Sequence, residues 1–259
     1  MGIFRVAEQY VSISEGGRLA GQLACYIRFA GCNLSCDYCD SRWVNEDDVP
    51  YTKYDEEGIY SLIRKTGVKN VTLTGGEPLV QEGMQDLLNL LRKDHGLRIR
   101  VETNGSIDIA DFLPKDNGFA EKIYDRAKES FGMTLQDMLA LESKDQTRTE
   151  ENIVEDNVSF IIDYKMPCSG MEKRMFLPNY RQMRPQDSVR FVVGSKEDMA
   201  KARSLIDNYE FVKRGCGVYI SPCFGKMEPA KIVELMIKNN MNDVNLQLQI
   251  CKMLSSENR

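Results

Sequence analysis

The chain has 259 residues, enough to bury a sizeable core, and a net charge of −5. Its lysines and arginines form no block, so duplex nucleic acid, which needs a basic surface, is not an expected partner. No apolar run approaches the ~18 residues of a membrane span, and the first residues lack the apolar stretch of a secretory signal. We therefore predict a cytoplasmic protein that does not contact a membrane.

Apolar periodicity predicts strands and helices that alternate along the chain. The predicted strands are 23–29, 70–74, 98–103, 158–164, 189–193, 217–221 and 243–249. The predicted helices are 55–66, 81–92, 196–208 and 229–239. This alternation indicates a parallel sheet with right-handed crossovers, in which ligands bind beyond the carboxyl ends of the strands.

Three cysteines follow the first predicted strand, at Cys32, Cys36 and Cys39, with C-x3-C-x2-C spacing. A [4Fe–4S] cluster normally takes four cysteines, one for each iron. Three thiolates on one short loop leave one iron open to a chelating ligand, so we interpret this loop as a cluster site.

Structural zinc and disulfides are the alternatives for these cysteines. Zinc sites usually pair C-x2-C knuckles, often with histidine, whereas the one histidine here, His95, lies in a polar stretch where we expect it to be solvated. A chain of this length in a reducing compartment does not need disulfides. We expect the remaining cysteines to be small buried residues; they are Cys25, Cys168, Cys216, Cys223 and Cys251.

Two further motifs come at the ends of predicted strands. Residues 74–78 read Thr-Gly-Gly-Glu-Pro, where the glycines allow a close approach to a ligand and Glu77 can receive an ammonium group. Residues 102–105 read Glu-Thr-Asn-Gly at the end of the next strand. Taken singly, both are also compatible with ordinary turns.

In this order, the motifs resemble those of the radical S-adenosylmethionine (SAM) enzymes, and within them the 7-carboxy-7-deazaguanine synthase family in its clostridial form. The similarity continues through 163–170, 221–222 and 245–249, and so covers nearly the whole chain. It implies an α/β fold, a partial TIM-type parallel β/α barrel, in a single domain of residues 1–259.

The resemblance also implies an activity. In this family, electron transfer from the cluster splits SAM and yields a 5′-deoxyadenosyl radical. The radical starts a ring contraction of 6-carboxy-5,6,7,8-tetrahydropterin to 7-carboxy-7-deazaguanine, ammonia is lost, and SAM is re-formed. The enzyme is a lyase of queuosine and 7-deazapurine biosynthesis, and its cofactors are a [4Fe–4S] cluster, SAM and Mg²⁺.

Matching the motifs residue by residue implies a site. Cys32, Cys36 and Cys39 would hold the cluster, and Ser41 would bind Mg²⁺, which prefers hard oxygen ligands. The substrate would contact Ile13, Ser14, Glu15, Arg28 and Thr74. SAM would contact Tyr38, Gly75, Gly76, Glu77, Thr103, Asn104, Asp163, Lys165, Ser221, Pro222, Cys223 and Phe224.

The chain departs from the family pattern in three places. The family's Ser-Ile-(Gln/Asn)-Gly-Glu-Gly reads Ser-Ile-Ser-Glu-Gly-Gly at 12–17, which moves the acid by one position to Glu15. The family's His-Lys pair near the C-terminus reads Cys251-Lys252. Residues 106–157 form an acidic insertion in which we predict an amphipathic helix beginning at Thr134. That insertion is either a solvated excursion or a lid or docking site.

Two other functional classes remain open at this point. One is a radical SAM enzyme with a different substrate, such as a glycyl-radical activase or a peptide modifier. The other is a non-catalytic iron–sulfur or zinc protein, which would leave the motifs at 74–78 and 163–165 unexplained. The expected partners are the small pterin substrate, an electron donor such as flavodoxin, and a second copy of the chain in a homodimer.

Overall fold

The computed structural model describes residues 2–114 and 156–250. Contacts between residues place 2–112 and 157–250 in one compact unit, and this unit is built on a nine-stranded sheet. The predicted helix at Thr134 and the Cys251-Lys252 pair lie outside the described residues. The extent of the insertion stays a prediction.

The strands of the described residues are numbered in chain order. They are β1 (Phe4–Ile13), β2 (Leu23–Phe29), β3 (Thr52–Tyr54), β4 (Asn70–Gly75), β5 (Arg98–Thr103), β6 (Val158–Tyr164), β7 (Ser188–Val193), β8 (Gly217–Pro222) and β9 (Asn245–Leu246).

The helices of the same residues follow the crossover pattern. They are α1 (Glu56–Thr66), α2 (Met84–Arg92), α3 (Pro178–Gln182), α4 (Lys196–Tyr209) and α5 (Pro229–Lys238). Local signals begin several of them: the Asp55 carboxylate accepts a hydrogen bond from the Gly58 N–H before α1, and α5 begins with Pro229. No helix among the described residues combines the length and apolar character needed to cross a membrane.

The sheet order is β3-β1-β2-β4-β5-β6-β7-β8-β9. All neighbours from β2 to β9 are parallel, whereas β1 is antiparallel to both β2 and β3. This is the predicted partial parallel β/α barrel, with an antiparallel extension on the β2 side.

The two faces of the parallel strands differ in chemistry. Register partners in parallel strands point to the same side, and the partnered residues Ile27, Leu73 and Val101 are completely buried in the apolar core. The opposite side holds a row of hydrogen-bonding residues near the carboxyl ends of the strands. We call this row the polar face; it consists of Arg28, Thr74, Glu102, Asp163, Arg190 and Ser221.

Most of the predicted elements are confirmed within one to three residues, but two strands were missed. β1 alternates buried Phe4 and Val6 with exposed residues, which is a readable strand pattern. β3 has only three residues, too few for periodicity. The last predicted strand, 243–249, is too long, since only Asn245–Leu246 pairs with β8. The next residue, Gln247, accepts a side-chain hydrogen bond from Ser221 near the end of β8.

Candidate functional site

The motifs singled out in the sequence meet at one edge of the sheet. The cysteine loop follows β2, the Gly-Gly-Glu-Pro motif ends β4, and the Thr-Asn-Gly segment ends β5. Asp163 and Lys165 lie at the end of β6, and Ser221 to Phe224 lie at the end of β8. Parallel strands thus bring residues almost 200 positions apart in the chain to the same edge.

The backbone of the cysteine loop is held by hydrogen bonds with the loop after β6 and with a following arginine. The Asp37 N–H donates to the Ser169 carbonyl at 3.0 Å, and the Arg42 guanidinium donates to the carbonyls of Cys36 and Asp37 at 3.2 and 2.7 Å. Cys36 is buried, while Cys32 and Cys39 are half-buried. Burial raises the pKa of the Cys32 and Cys36 thiols.

The donor set of this loop fits an iron–sulfur cluster. The Cys32 sulfur accepts from the Leu34 N–H at 3.5 Å and from the Asn104 amide at 3.6 Å, and such hydrogen bonds to sulfur tune clusters. Among the described residues, no three His, Cys, Asp or Glu side chains converge on a single metal ion. A cluster does not require such convergence, since each cysteine binds a different iron.

The Gly-Gly-Glu-Pro motif fixes the cysteine loop against β4. The Glu77 N–H donates to the Gly31 carbonyl at 2.9 Å, and the Gly76 N–H donates to the Phe29 carbonyl at 3.0 Å. A Cβ on Gly76 would overlap the Gly31 carbonyl. Gly75 has a φ of +130°, a backbone conformation that side chains rarely permit.

The Glu77 side chain is completely buried and ties β4 to β5. Its carboxylate accepts from the Leu79 N–H at 3.0 Å, the Thr103 hydroxyl at 2.8 Å and the Asn104 N–H at 2.6 Å. Burial raises the pKa of Glu77 to about 7, although the three donors lower it. Within the described residues this carboxylate has no ion-pair partner at contact distance, which suits a cationic ligand.

A charged network crosses the polar face, and sequence reasoning missed part of it. Asp163 accepts from Lys165 at 2.6 Å and from Arg190 at 2.6 Å, and Arg190 also approaches Glu102 at 3.9 Å. Burial alone would raise the pKa of Asp163, but Arg190 and Lys165 hold it at about 2. Arg190 and Glu102 were not among the predicted site residues. The signal that could have found them is a charged residue inside a predicted strand.

The end of β8 presents a mixed surface. The Ser221 hydroxyl donates to the Gln247 carbonyl at 2.9 Å, and Pro222 is the β8 partner of Val193. The Cys223 side chain is buried beside β7, whereas Phe224 is 80% exposed. The loop therefore offers an open aromatic ring beside the strand ends.

Tyr38, which precedes the last cysteine of the loop, presents a second ring at this edge. Its hydroxyl is buried and has no hydrogen-bond partner among the described residues. Burial raises the pKa of this hydroxyl.

Arg28, Thr74 and Ser41 lie together on the β2 side of the polar face. Arg28 donates to the Ser41 hydroxyl at 3.0 Å, to the Tyr10 hydroxyl at 2.9 Å and to Glu8 at 3.0 Å. The Ser41 hydroxyl donates to the Asp40 carboxylate at 3.2 Å, and Thr74 donates to Glu102 at 3.4 Å.

The segment that includes Ile13, Ser14 and Glu15 approaches the polar side from the opposite end, because β1 runs antiparallel to β2. The Ile13 carbonyl accepts from the Tyr26 hydroxyl at 3.2 Å, and Ser14 is buried with its N–H bonded to the Gln22 carbonyl at 2.8 Å. The Gly16 carbonyl accepts from Arg100, whose side chain is buried on β5. The segment thus begins beside the amino-terminal end of β2, whereas the other motifs meet at the carboxyl ends of the parallel strands.

The cysteines outside the loop agree with the expectation of small buried residues at three positions. Cys25, Cys216 and Cys223 are buried, whereas Cys168 is half-buried. His95 is exposed after the end of α2, as predicted.

A cavity of about 580 Å³ opens beside the cysteine loop. Its lining includes Cys32, Asn33 and Met171, and its rim carries the exposed cations Lys173 and Arg174. Neither cation has an ion-pair partner among the described residues. The acidic residue beside them in the sequence, Glu172, pairs instead with Lys201.

Comparison with known proteins agrees with this geometry. A family model described as the radical SAM superfamily matches residues 26–131, and that superfamily implies SAM and a [4Fe–4S] cluster as cofactors. The crystal structure of QueE from Escherichia coli superposes with a TM-score of 0.64 at 16% identity, covering 95% of this chain and 94% of that one, which shows a shared fold. The 7-carboxy-7-deazaguanine synthase of Chlorobaculum tepidum is 28% identical over 95% of this chain and 92% of its own length.

A nearer relative covers almost every residue of both chains. The 7-carboxy-7-deazaguanine synthase of Clostridium acetobutylicum is 41% identical over 256 residues, which span 99% of this chain and 98% of that protein. The chain therefore belongs to the 7-carboxy-7-deazaguanine synthase family of radical SAM proteins.

Proposed function

We propose that this chain is a radical SAM lyase that converts 6-carboxy-5,6,7,8-tetrahydropterin to 7-carboxy-7-deazaguanine with loss of ammonia. The supporting observation is that the cysteine loop, the buried Glu77 and the polar face meet at one edge of the sheet, in a chain that is 41% identical to a synthase of this reaction over 256 residues. The reaction contributes to queuosine and 7-deazapurine biosynthesis.

In this proposal the strand ends divide between two cofactors. The cluster is held by Cys32, Cys36 and Cys39. Glu77 binds the ammonium group of SAM, since no cation among the described residues lies at contact distance from its carboxylate. Bound together, the cluster and SAM supply the radical that removes a hydrogen from the substrate. The remaining SAM contacts come from Tyr38, Gly75, Gly76, Thr103, Asn104, Asp163, Lys165, Ser221, Pro222, Cys223 and Phe224.

The chain's own contribution to the reaction is to bind and orient the substrate. Arg28 presents a planar guanidinium that suits the substrate carboxylate, and Thr74 lies beside it on β4. The segment Ile13, Ser14 and Glu15 closes the opposite end of the site. Enclosure between these two ends holds the pterin ring in place and excludes water.

We also propose that Mg²⁺ binds at Ser41. Its hydroxyl and the adjacent Asp40 carboxylate are 3.2 Å apart and are both hard oxygen ligands. Arg28 donates to the same hydroxyl at 3.0 Å, so its guanidinium lies beside the oxygens that would hold the ion. Ser41→Ala should depress product formation strongly and leave reductive SAM cleavage without substrate unchanged. Wild-type turnover in this variant, or equal rates with and without Mg²⁺, would remove Ser41 from the proposal.

The remaining partners are an electron donor such as flavodoxin and a second copy of the chain, in a cytoplasmic homodimer. The exposed apolar side chains Val11 and Leu23 on the β1–β2 hairpin support a subunit contact. Light scattering of the anaerobically purified protein measures the assembly directly.

The main test is anaerobic incubation with SAM and reductant, with and without the pterin, followed by chromatography for 7-carboxy-7-deazaguanine. We expect product only when all components are present, and no iron–sulfur absorption in Cys36→Ala. Cys216→Ala changes a buried cysteine directly before β8; this variant is the matched control and should keep its iron. Vigorous SAM cleavage without this product would indicate a different substrate, whereas stoichiometric zinc without iron would contradict the radical SAM assignment.

A further inference from the structure

The residue that follows β9, Gln247, is fixed on the polar side of the sheet. Its N–H donates to the Ile220 carbonyl at 2.8 Å, and its carbonyl accepts from the Ser221 hydroxyl at 2.9 Å. Because Leu246 is the register partner of Ile220, Gln247 comes level with Ser221 and points to the same side.

The side chain of Gln247 has an unsatisfied hydrogen-bonding group. It is only 7% exposed, and its Oε1 has no hydrogen-bond partner among the described residues. Buried amide oxygens are nearly always paired, because leaving one unpaired costs its full desolvation penalty. An unpaired amide oxygen beside the strand ends indicates an acceptor for a hydrogen bond from a ligand.

The surroundings of the amide hold it in place. Gly16 packs directly against it, so that a Cβ at that position would overlap the amide atoms. The Gly16 carbonyl accepts from Arg100, which is 3% exposed and whose Nε also has no hydrogen-bond partner among the described residues. That Nε lies 3.8 Å from the Glu102 carboxylate, so the group left without any partner beside Gly16 is the Gln247 oxygen.

We propose that the Gln247 amide binds the lactam edge of the substrate's pyrimidinone ring. Its oxygen accepts the ring N–H, and its NH₂ donates to the neighbouring ring carbonyl. This inference rests on the proposed function, since a pterin carries such an edge, and it assigns the recognition of that edge to a residue after β9. Glu15, the displaced acid, lies one residue before the glycine that packs on the amide.

The test measures binding by anaerobic calorimetry with the cluster-containing, SAM-loaded protein. The probes are 6-carboxy-5,6,7,8-tetrahydropterin and its N3-methyl derivative, which lacks the ring N–H. We expect Gln247→Leu to weaken binding of the parent pterin roughly tenfold, because the ligand loses its hydrogen bonds to a buried amide. Gln9→Leu, the same substitution at an exposed residue of β1, should bind like the wild type.

The two probes together distinguish a contact from a general disturbance. N3-methylation should weaken binding to the wild type roughly tenfold or more and should have much less effect on Gln247→Leu. Gly16→Ala, which displaces the amide from the other side, should reproduce the loss for the parent pterin. Equal methylation penalties in the wild type and in Gln247→Leu would overturn the assignment, and so would full affinity in both variants.

The outcomes also separate this inference from the proposed function. A wild-type protein that binds and converts the pterin while Gln247→Leu does so equally well refutes only the role of Gln247. A wild-type protein that cleaves SAM but binds no pterin refutes the proposed function and this inference with it. Should Gln247→Leu lose thermal stability, the methylation penalty in the wild type and the Gly16→Ala variant still decide the question.

Discussion

Glu77 shows how one buried side chain serves both the fold and the site. Both of its oxygens accept hydrogen bonds from the end of β5 or from the turn that follows β4. A glutamine would place an N–H against one of these donors, because the amide has only one accepting atom.

We therefore expect Glu77→Gln to lower the free energy of unfolding by about 1–3 kcal/mol and also to weaken SAM binding. Urea unfolding and calorimetry measure the two effects separately. Glu82→Gln, at an exposed position five residues further on, should change neither. If Glu77→Gln retained wild-type stability and SAM affinity, the residue would belong neither to the β4–β5 connection nor to the SAM site.

Asp163 is the charged centre of the polar face, and its pKa of about 2 has a consequence for acid stability. A carboxyl whose pKa falls on folding stabilises the folded state above its unfolded pKa of about 3.9. This stabilisation is lost as the pH falls through the folded pKa, and here it amounts to about 2–3 kcal/mol.

Asp163→Asn should therefore remove the part of the stability that the wild type loses between about pH 4 and pH 2. It should also cost about 3–5 kcal/mol at neutral pH, because Lys165 and Arg190 keep their buried charges without this partner. Urea unfolding between about pH 2 and pH 7 checks both effects. Glu210→Gln breaks an exposed ion pair with Lys213 and should leave the curve unchanged. Parallel pH profiles for Asp163→Asn and the wild type would contradict this reading.

At the scale of elements, the end of β4 holds the cysteine loop by backbone contact alone. The loop's Gly31 carbonyl lies where a side chain on Gly76 would have to go, so any substitution there pushes the loop away from the strand. The position of the three cysteines thus depends on a neighbouring strand as well as on their own spacing.

We expect Gly76→Ala to lower the iron content of the anaerobically reconstituted protein several-fold, because the loop cannot keep its place. Gly96→Ala is the control: that glycine lies in the exposed turn after α2, where a Cβ would meet only the Asp94 carboxylate at 3.1 Å. Iron analysis and visible absorption measure the result. Full iron loading of Gly76→Ala would show that the loop is positioned independently of β4.

At the scale of the whole molecule, two adjacent cations, Lys173 and Arg174, are exposed on a chain of net charge −5. They line the cavity beside Cys32, the side from which the proposed electron donor would reach the cluster. Acidic one-electron carriers such as flavodoxin are steered by exposed positive charge.

The double substitution Lys173→Glu with Arg174→Glu should lower flavodoxin-driven turnover about tenfold or more at low salt and leave dithionite-driven turnover unchanged. Lys69→Glu with Arg98→Glu places the same charges at the amino-terminal ends of β4 and β5 and should affect neither assay. Equal losses with both reductants would indicate damage to the cluster site instead of a docking surface.

The sequence alone determined the alternation of strands and helices, the cysteine loop and the family. These features are local or linear: hydrophobic periodicity follows from each element's own burial, and the motifs are short runs in a fixed order. For the same reason the bounds of β2, β5 and β6 were predicted to the residue.

Only the tertiary structure decided how distant residues share the site. Arg190 belongs to no motif, and the motifs around Glu102 and Gln247 gave these two residues no role of their own. The three side chains come to the polar side of the sheet because strand register aligns β5, β7 and the residue after β9. Register depends on contacts between strands far apart in sequence, and a shift of one residue would turn every side chain to the other face. The antiparallel direction of β1, which carries the segment 13–15 to the base of the polar side, likewise depends on its pairing with β2 and not on its own residues.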